Sequence, residues 1–143
     1  MEKGHGRAAL RASRMGARSN IVVRFSNGAR IYLYTHWNGR EVARVVHDAL
    51  AMATGEGGRW TDEGVVCRAL ATRLWRGEED DLLGYSISPY GTFPDWDEFH
   101  VDLAMQTVRR VSAHTEDVVG EWSFDDFVAR DPAFTIEEVV NGI

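Results

Sequence analysis

The run Thr35-His36-Trp37-Asn38-Gly39 joins a β-rich segment to an amphipathic one. A strand-to-helix junction of this kind aims backbone N–H groups and the helix dipole at an anion. His36 offers a hydrogen bond there and Trp37 a stacking surface, with Gly39, Arg59 and Tyr85 as further candidate ligand-binding residues. The set would suit an anionic, ring-bearing ligand such as a nucleotide. The same residues serve a plainer purpose equally well. Trp is mostly buried in folded proteins, so Trp37 can plug the core while His36 packs or caps the helix.

Other chemistries find less support. His100-Val101-Asp102 places an imidazole and a carboxylate on one face of a strand, about 7 Å apart. No two of His36, His47, His100 and His114 have a metalloenzyme spacing such as His-Glu-x-x-His, so no metal site is expected. Gly84-Tyr85-Ser86-Ile87-Ser88 lacks the second glycine of a nucleophile elbow. Gly55-Glu56-Gly57-Gly58 has neither the Lys-Ser/Thr of a P-loop nor a dinucleotide fingerprint. Asp95, Asp97 and Glu98 do not follow the spacing of an EF-hand loop. Cys67 stands alone, which excludes an intrachain disulfide and a multi-cysteine metal site; it reads as a small apolar residue on a helix. No catalytic residue is assigned and no cofactor is expected.

Composition sets the frame around these residues. A chain of 143 residues that is 44% hydrophobic has the size and apolar content of one domain. Residues 1–19 carry five basic side chains against Glu2, leaving 11 basic and 21 acidic residues in 20–143; the net charges are +4 and −10. A body so acidic repels a phosphate backbone, which disfavours nucleic-acid binding. No apolar run reaches the roughly 20 residues of a membrane span, and no signal-peptide stretch follows the N-terminus. With a single cysteine, a cytoplasmic location is expected.

Residues 1–19 read as a basic flexible tail, although Arg7, Arg11, Arg14 and Arg18 would line one face of a helix. If these arginines act together, the expectation is a helix docked on the acidic body. Residues 20–143 read as a single α+β domain. Residues 21–25 and 31–35 predict a hairpin around Asn27-Gly28, whose two-residue turn would set Val23 opposite Tyr32. Val42, Val45, Val46, Ala49, Leu50 and Ala53 form the buried stripe of a first helix. A second spans about 61–75, capped by Thr61, with Val66, Leu70 and Leu74 inward. Alternation predicts strands at 85–88 and 99–103 and another through Val108 and Val111. A helix starts near Ser123, and Thr135 with Glu138 suggests a capping box beyond it. The order β-β-α-α-β-β-β-α implies an antiparallel sheet with helices packed on it.

The run Tyr34-Thr35-His36-Trp37-Asn38-Gly39 resembles a family of small uncharacterised phage and bacterial proteins, whose hairpin ends in Tyr-Thr-His-Trp-x-Gly before a helix. Arg59-Trp60-x-Asp62, Gly84-Tyr85-x-Ile87-Ser88, Val101-Asp102-Leu103, Gln106-Thr107-Val108 and Trp122-Ser123-Phe124-Asp125-Asp126-Phe127 follow in the same order, over about residues 20–130. The resemblance implies a phage-like origin. It carries no activity and no catalytic residues, and the basic tail and residues 89–97 lie outside its pattern.

Taken together, the residues suggest a non-enzymatic, phage-encoded accessory protein of the host cytoplasm that binds a host or phage protein. Tyr90, Phe93 and Trp96, on a turn-rich segment, are the candidate protein-binding residues, aromatic side chains being enriched at interface cores. The alternative is a binder of a nucleotide-like anion, or a simple hydrolase, with its site at His36-Trp37. A homodimer is a further expectation. It rests on a hairpin with Ile21, Val23, Phe25, Tyr32 and Tyr34 on one face and Val22, Ile31 and Leu33 on the other, which three helices would not cover on both sides.

Overall fold

Gly28 decides how the first two strands meet. In the computed structural model, which describes residues 17–55 and 59–130, Gly28 has φ +88°. Its N–H donates to Phe25 O (3.0 Å), and Phe25 N–H donates to Ala29 O (2.9 Å). This is a three-residue loop closed by a left-handed glycine, the next commonest hairpin after the two-residue turns. Strands β1 (Ser19–Arg24) and β2 (Arg30–Thr35) therefore pair with Ile21 opposite Leu33, Val22 opposite Tyr32, Val23 opposite Ile31 and Arg24 opposite Arg30. The expected two-residue turn is corrected by one position, and a slip of one residue exchanges the faces. Ile21 and Val23 share a face with Ile31 and Leu33. Tyr32 and Tyr34 lie with Asn20, Val22 and Arg24 on the other.

The remaining elements are α1 (Val42–Gly55), α2 (Glu63–Trp75), β3 (Tyr85–Ser88), β4 (Glu98–Asp102), β5 (Thr107–Val111), β6 (Val118–Ser123) and α3 (Phe124–Ala129). Short 3-10 turns, Gly39–Glu41 and Arg59–Thr61, precede α1 and α2. The six strands form one sheet in the order β3-β2-β1-β4-β5-β6. The α+β class holds, but the sheet is mixed: β1 and β4 run parallel, Ile21 beside Phe99 and Val23 beside Val101. The chain leaves edge strand β3, passes through residues 89–97 and re-enters on the far side of β1 in the direction that β1 itself runs. An antiparallel neighbour would have required the reverse entry.

Strand β6 was not expected. Gly120 sits opposite Arg110 in register, and a Cβ there would strike the Trp122 ring. The glycine makes room for an indole that packs 5.3 Å from the Phe127 ring. Thr61 gives way to Asp62 as the cap of α2, the Asp62 carboxylate accepting from Val65 N–H (3.3 Å). Ser123 caps α3 as expected, accepting from Asp126 N–H (3.1 Å). The Thr135–Glu138 motif and the arginines before Ala17 lie outside the described residues.

The core lies between the sheet and the helices. Val42, Val46, Ala49, Leu50 and Ala53 of α1 bury their stripe against Ile21, Val23, Leu33, Phe99 and Val101, with Val66, Leu70 and Leu74 of α2 and Phe124 and Phe127 of α3 completing it. His47 joins α1 to α3 through Nε2, 2.9 Å from Val128 O.

One charged pair is sealed inside. Arg110 Nε donates to Asp97 Oδ2 at 2.7 Å, both side chains being 4% exposed, and Asp97 Oδ1 accepts from Ala113 N–H at 2.9 Å. Ser19 Oγ–H adds a bond to Asp97 O (3.0 Å), so the pair holds β1, β4 and β5 at one end of the sheet. Removing one partner from a buried pair leaves an uncompensated charge, at a cost of about 3–5 kcal/mol. Urea denaturation should therefore show Asp97→Ala losing about that much. Glu121→Ala, which removes the exposed partner of Arg109, should lose no more than about 1 kcal/mol.

Candidate functional site

The strand-to-helix junction is drawn together largely by its own hydrogen bonds. Thr35 Oγ1 accepts from Trp37 N–H (3.2 Å) and Asn38 N–H (2.9 Å), folding the chain back as β2 ends. His36 N–H donates to Gly84 O (2.8 Å), and Trp37 Nε1–H donates to Asp81 Oδ2 (3.0 Å). Asn38 Nδ2 donates to Tyr85 Oη (2.7 Å). His36 Nδ1 lies 2.8 Å from Tyr34 Oη, and the His36 and Trp37 rings meet edge to face at 4.3 Å. Gly39 N–H donates to Ala17 O (2.7 Å), and a Cβ on Gly39 would collide with that carbonyl.

The structure thus gathers His36, Trp37, Gly39 and Tyr85 in one place. Arg59 begins the turn before α2, but its side chain lies outside the described residues. Trp37 is half-buried against the core, and Tyr85 is buried. The N–H groups of Trp37, Asn38 and Gly39, with the Trp37 indole, are already used within the fold.

Beside this junction the segment leading into β1 is anchored to the crossover. Arg18 Nε and Nη2 donate to Asp95 Oδ2 (3.0 Å) and Oδ1 (3.2 Å), and Arg18 N–H adds a third bond to Oδ2 (3.0 Å). These bonds from Arg18 hold the Asp95 carboxyl below its ordinary pKa. Partial burial pushes the Tyr34 phenol up. Asp95 N–H and Trp96 N–H both donate to Arg18 O (2.8 and 3.1 Å).

Residues 89–97 cross the sheet on the face opposite the helices before turning in at Trp96. Asn20 Nδ2 donates to Thr92 O (2.7 Å), and Gly91 lies flat against the Tyr32 ring, leaving no space for a Cβ. The three aromatic residues of this segment separate. Tyr90 and Phe93 are 78% and 80% exposed. Trp96 packs partly buried against the core with the Arg40 guanidinium 5.1 Å from its ring centroid, which corrects its expected place on the surface. Leu82 (83% exposed), Leu83 (94%) and Ile87 (54%) extend the apolar surface along β3, whose outer edge pairs with no strand of the sheet.

The face crossed by residues 89–97 also gathers polar groups that sequence reading did not connect: Arg24, Arg30, His100, Asp102 and Arg109 surround a small cleft. Their alternation with Val23, Ile31, Val101 and Val108 was visible. Their meeting was not, because it depends on the β1–β4 pairing. His100 and Asp102 do share a face, but the imidazole Nε2 lies 3.2 Å from Glu98 Oε1. Among the described residues no group of three or more His, Cys, Asp or Glu is placed to hold a metal. No described helix is long and apolar enough to cross a membrane. Cys67 is half-buried on α2, where burial pushes its thiol pKa up, away from the reactive thiolate.

No protein-family model, no curated protein and no solved structure matches the chain.

Two outcomes test this geometry. Since the Asp95 pKa is lowered on folding, its contribution to stability is present above the unfolded carboxylate's value of about 3.9 and is lost as pH falls through the lowered value. Asp95→Asn should therefore flatten the acid side of a melting-temperature profile below about pH 4. Gly84→Ala would drive a methyl into Trp37 Nε1 and the Asp81 carboxylate. Such overpacking should cost about 1–3 kcal/mol in urea denaturation.

Proposed function

We propose that this is a non-enzymatic accessory protein, phage-encoded and acting in the host cytoplasm, that binds another protein along β3 and the segments flanking it. The observation that carries the reading is the line of exposed apolar side chains Leu82, Leu83, Ile87, Tyr90 and Phe93 beside an edge strand. An edge strand presents unpaired N–H and C=O groups that an incoming strand can satisfy, while flanking side chains supply apolar contact. The Tyr-Thr-His-Trp-x-Gly resemblance supports the phage origin. The alternative, a nucleotide-like ligand or hydrolytic site at His36-Trp37, draws less support, because that junction's donors are engaged within the fold. Self-association through the hairpin draws less support, because β1 and β2 lie inside the sheet and their helix-free face carries Asn20, Arg24 and Arg30 beside Val22, Tyr32 and Tyr34.

The test compares the wild-type chain with Leu83→Asp/Phe93→Asp, both at exposed positions where substitution leaves stability nearly unchanged. Immobilised wild type should retain one specific protein from infected-host lysate that the folded variant does not. Identical recovery on both, or none on either, would remove the reading. Light scattering on the same pair distinguishes a second copy of the chain as the strand's partner.

A further inference from the structure

We propose that the helix-free face of the sheet carries a binding site for a phosphate monoester group, formed by Arg24, Arg30, Arg109 and His100. It is separate from the β3 edge and does not depend on the protein-binding reading. Arg24 and Arg30 are directly opposite in the β1–β2 register, Val22 lies beside His100 across the parallel pair, and His100 is opposite Arg109 across β4–β5. Directly opposed residues have Cβ atoms about 4.5–5.5 Å apart, so these side chains crowd together, and like charges so placed repel. Neither the Arg24 nor the Arg30 side chain has an ion-pair or hydrogen-bond partner among the described residues, while those of Arg18, Arg73, Arg109 and Arg110 all do. Both are exposed, and Asp102, beside Arg24 across the parallel pair, is the one carboxylate lining the cleft they share.

The cleft between them, about 50 Å³, is floored by Val22 and Val101 and has room for one compact group. Arg109 and His100 are each oriented by a bond that leaves other donors available. Arg109 gives Nε to Glu121 at the exposed rim (3.1 Å), keeping its two Nη groups. His100 Nε2 is held at Glu98 Oε1 (3.2 Å), and Glu98 is itself fixed by Asn20 Nδ2 (2.6 Å). Asp102 also lines the cleft, its Oδ1 accepting from Met105 N–H (2.9 Å). Among the residues lining the cleft three guanidiniums face one carboxylate, Asp102, while Glu121 and Glu98 sit at its margin as the partners of Arg109 and His100. A monoester phosphate, carrying about −1.5 to −2 at neutral pH, supplies that charge with three acceptor oxygens for planar guanidinium forks. One small concavity on an acidic protein does not provide the row of phosphate contacts that a nucleic-acid backbone uses.

The test is calorimetric titration of the full chain at fixed ionic strength with inorganic phosphate, phenyl phosphate, a phosphoserine peptide, acetate and duplex DNA. The expected result is saturable binding of phosphate monoesters at millimolar concentration or below. It should be weakened about tenfold or more in Arg24→Gln/Arg30→Gln and in Arg30→Gln alone. Without phosphate, Arg30→Gln should melt at or above the wild-type temperature, since one of two facing like charges has been removed. Preference for phenyl phosphate would point to a small-molecule ester and preference for the peptide to a phosphoprotein; either supports the site. No saturable phosphate binding, equal binding by wild type and variants, or acetate or DNA bound as well as the monoesters would overturn it.

Discussion

The rest of the structure depends on the left-handed glycine in the first hairpin. With Gly28 at positive φ closing a three-residue loop, Ile21, Val23, Ile31 and Leu33 turn to one face together. That face becomes the bed on which α1 lies. The same register sends Arg24 and Arg30 to the opposite face as direct neighbours, and it sets Asn20 and Tyr32 where residues 89–97 cross. A loop one residue shorter would have set Tyr32 and Tyr34 on the face of Ile21 and Val23 and turned Ile31 and Leu33 to the other, splitting the aliphatic surface that α1 covers.

Local signals made much of this legible. The stripe at 3.6 periodicity in α1, the inner ridge of α2, the Ser123 cap and the alternation in β3, β4 and β5 are each written within a dozen residues. What stayed hidden is decided between distant segments. The Asn27-Gly28 pair announces a turn but suits two loop lengths, and nothing nearby chooses between them. The parallel β1–β4 contact depends on the side from which the chain returns after β3. Strand β6 is not legible in the sequence because it shows no alternation of its own; it is fixed by pairing with β5, with Gly120 leaving the space that the Trp122 ring fills. The site followed the same division. His36, Trp37, Gly39 and Tyr85 do meet, whereas the cluster at Arg24, Arg30 and Arg109 comes from three strands whose neighbourhood no local pattern predicts.

Two surfaces result, separated by the residues that cross the sheet. Tyr90 and Phe93 project from that segment, while Gly91 and the Thr92 carbonyl press against Tyr32 and Asn20 beneath it. Three inter-strand spacings, about 14 Å, separate β3 from β4. Nine residues can reach about 30 Å, so the crossing has slack, and the slack lets it carry exposed aromatic side chains. Its far end is secured by the Arg18–Asp95 bonds and by the buried Asp97–Arg110 pair, which hold the start of β4 in line beside β1.

The parallel contact between β1 and β4 also sets the order in which the chain completes itself during synthesis. By the time β3 has left the ribosome, β1 has β2 on one side only, with a row of unmatched backbone groups and the aliphatic side chains Ile21 and Val23 awaiting Phe99 and Val101. Closing that gap joins the two ends of a long chain loop, which costs conformational entropy before any contact rewards it. The first half is therefore an unfinished sheet with an open central strand, the kind of intermediate that mispairs with its neighbours. The sheet is complete only when β4, with β5 and β6 paired to it, adds to the open side of β1.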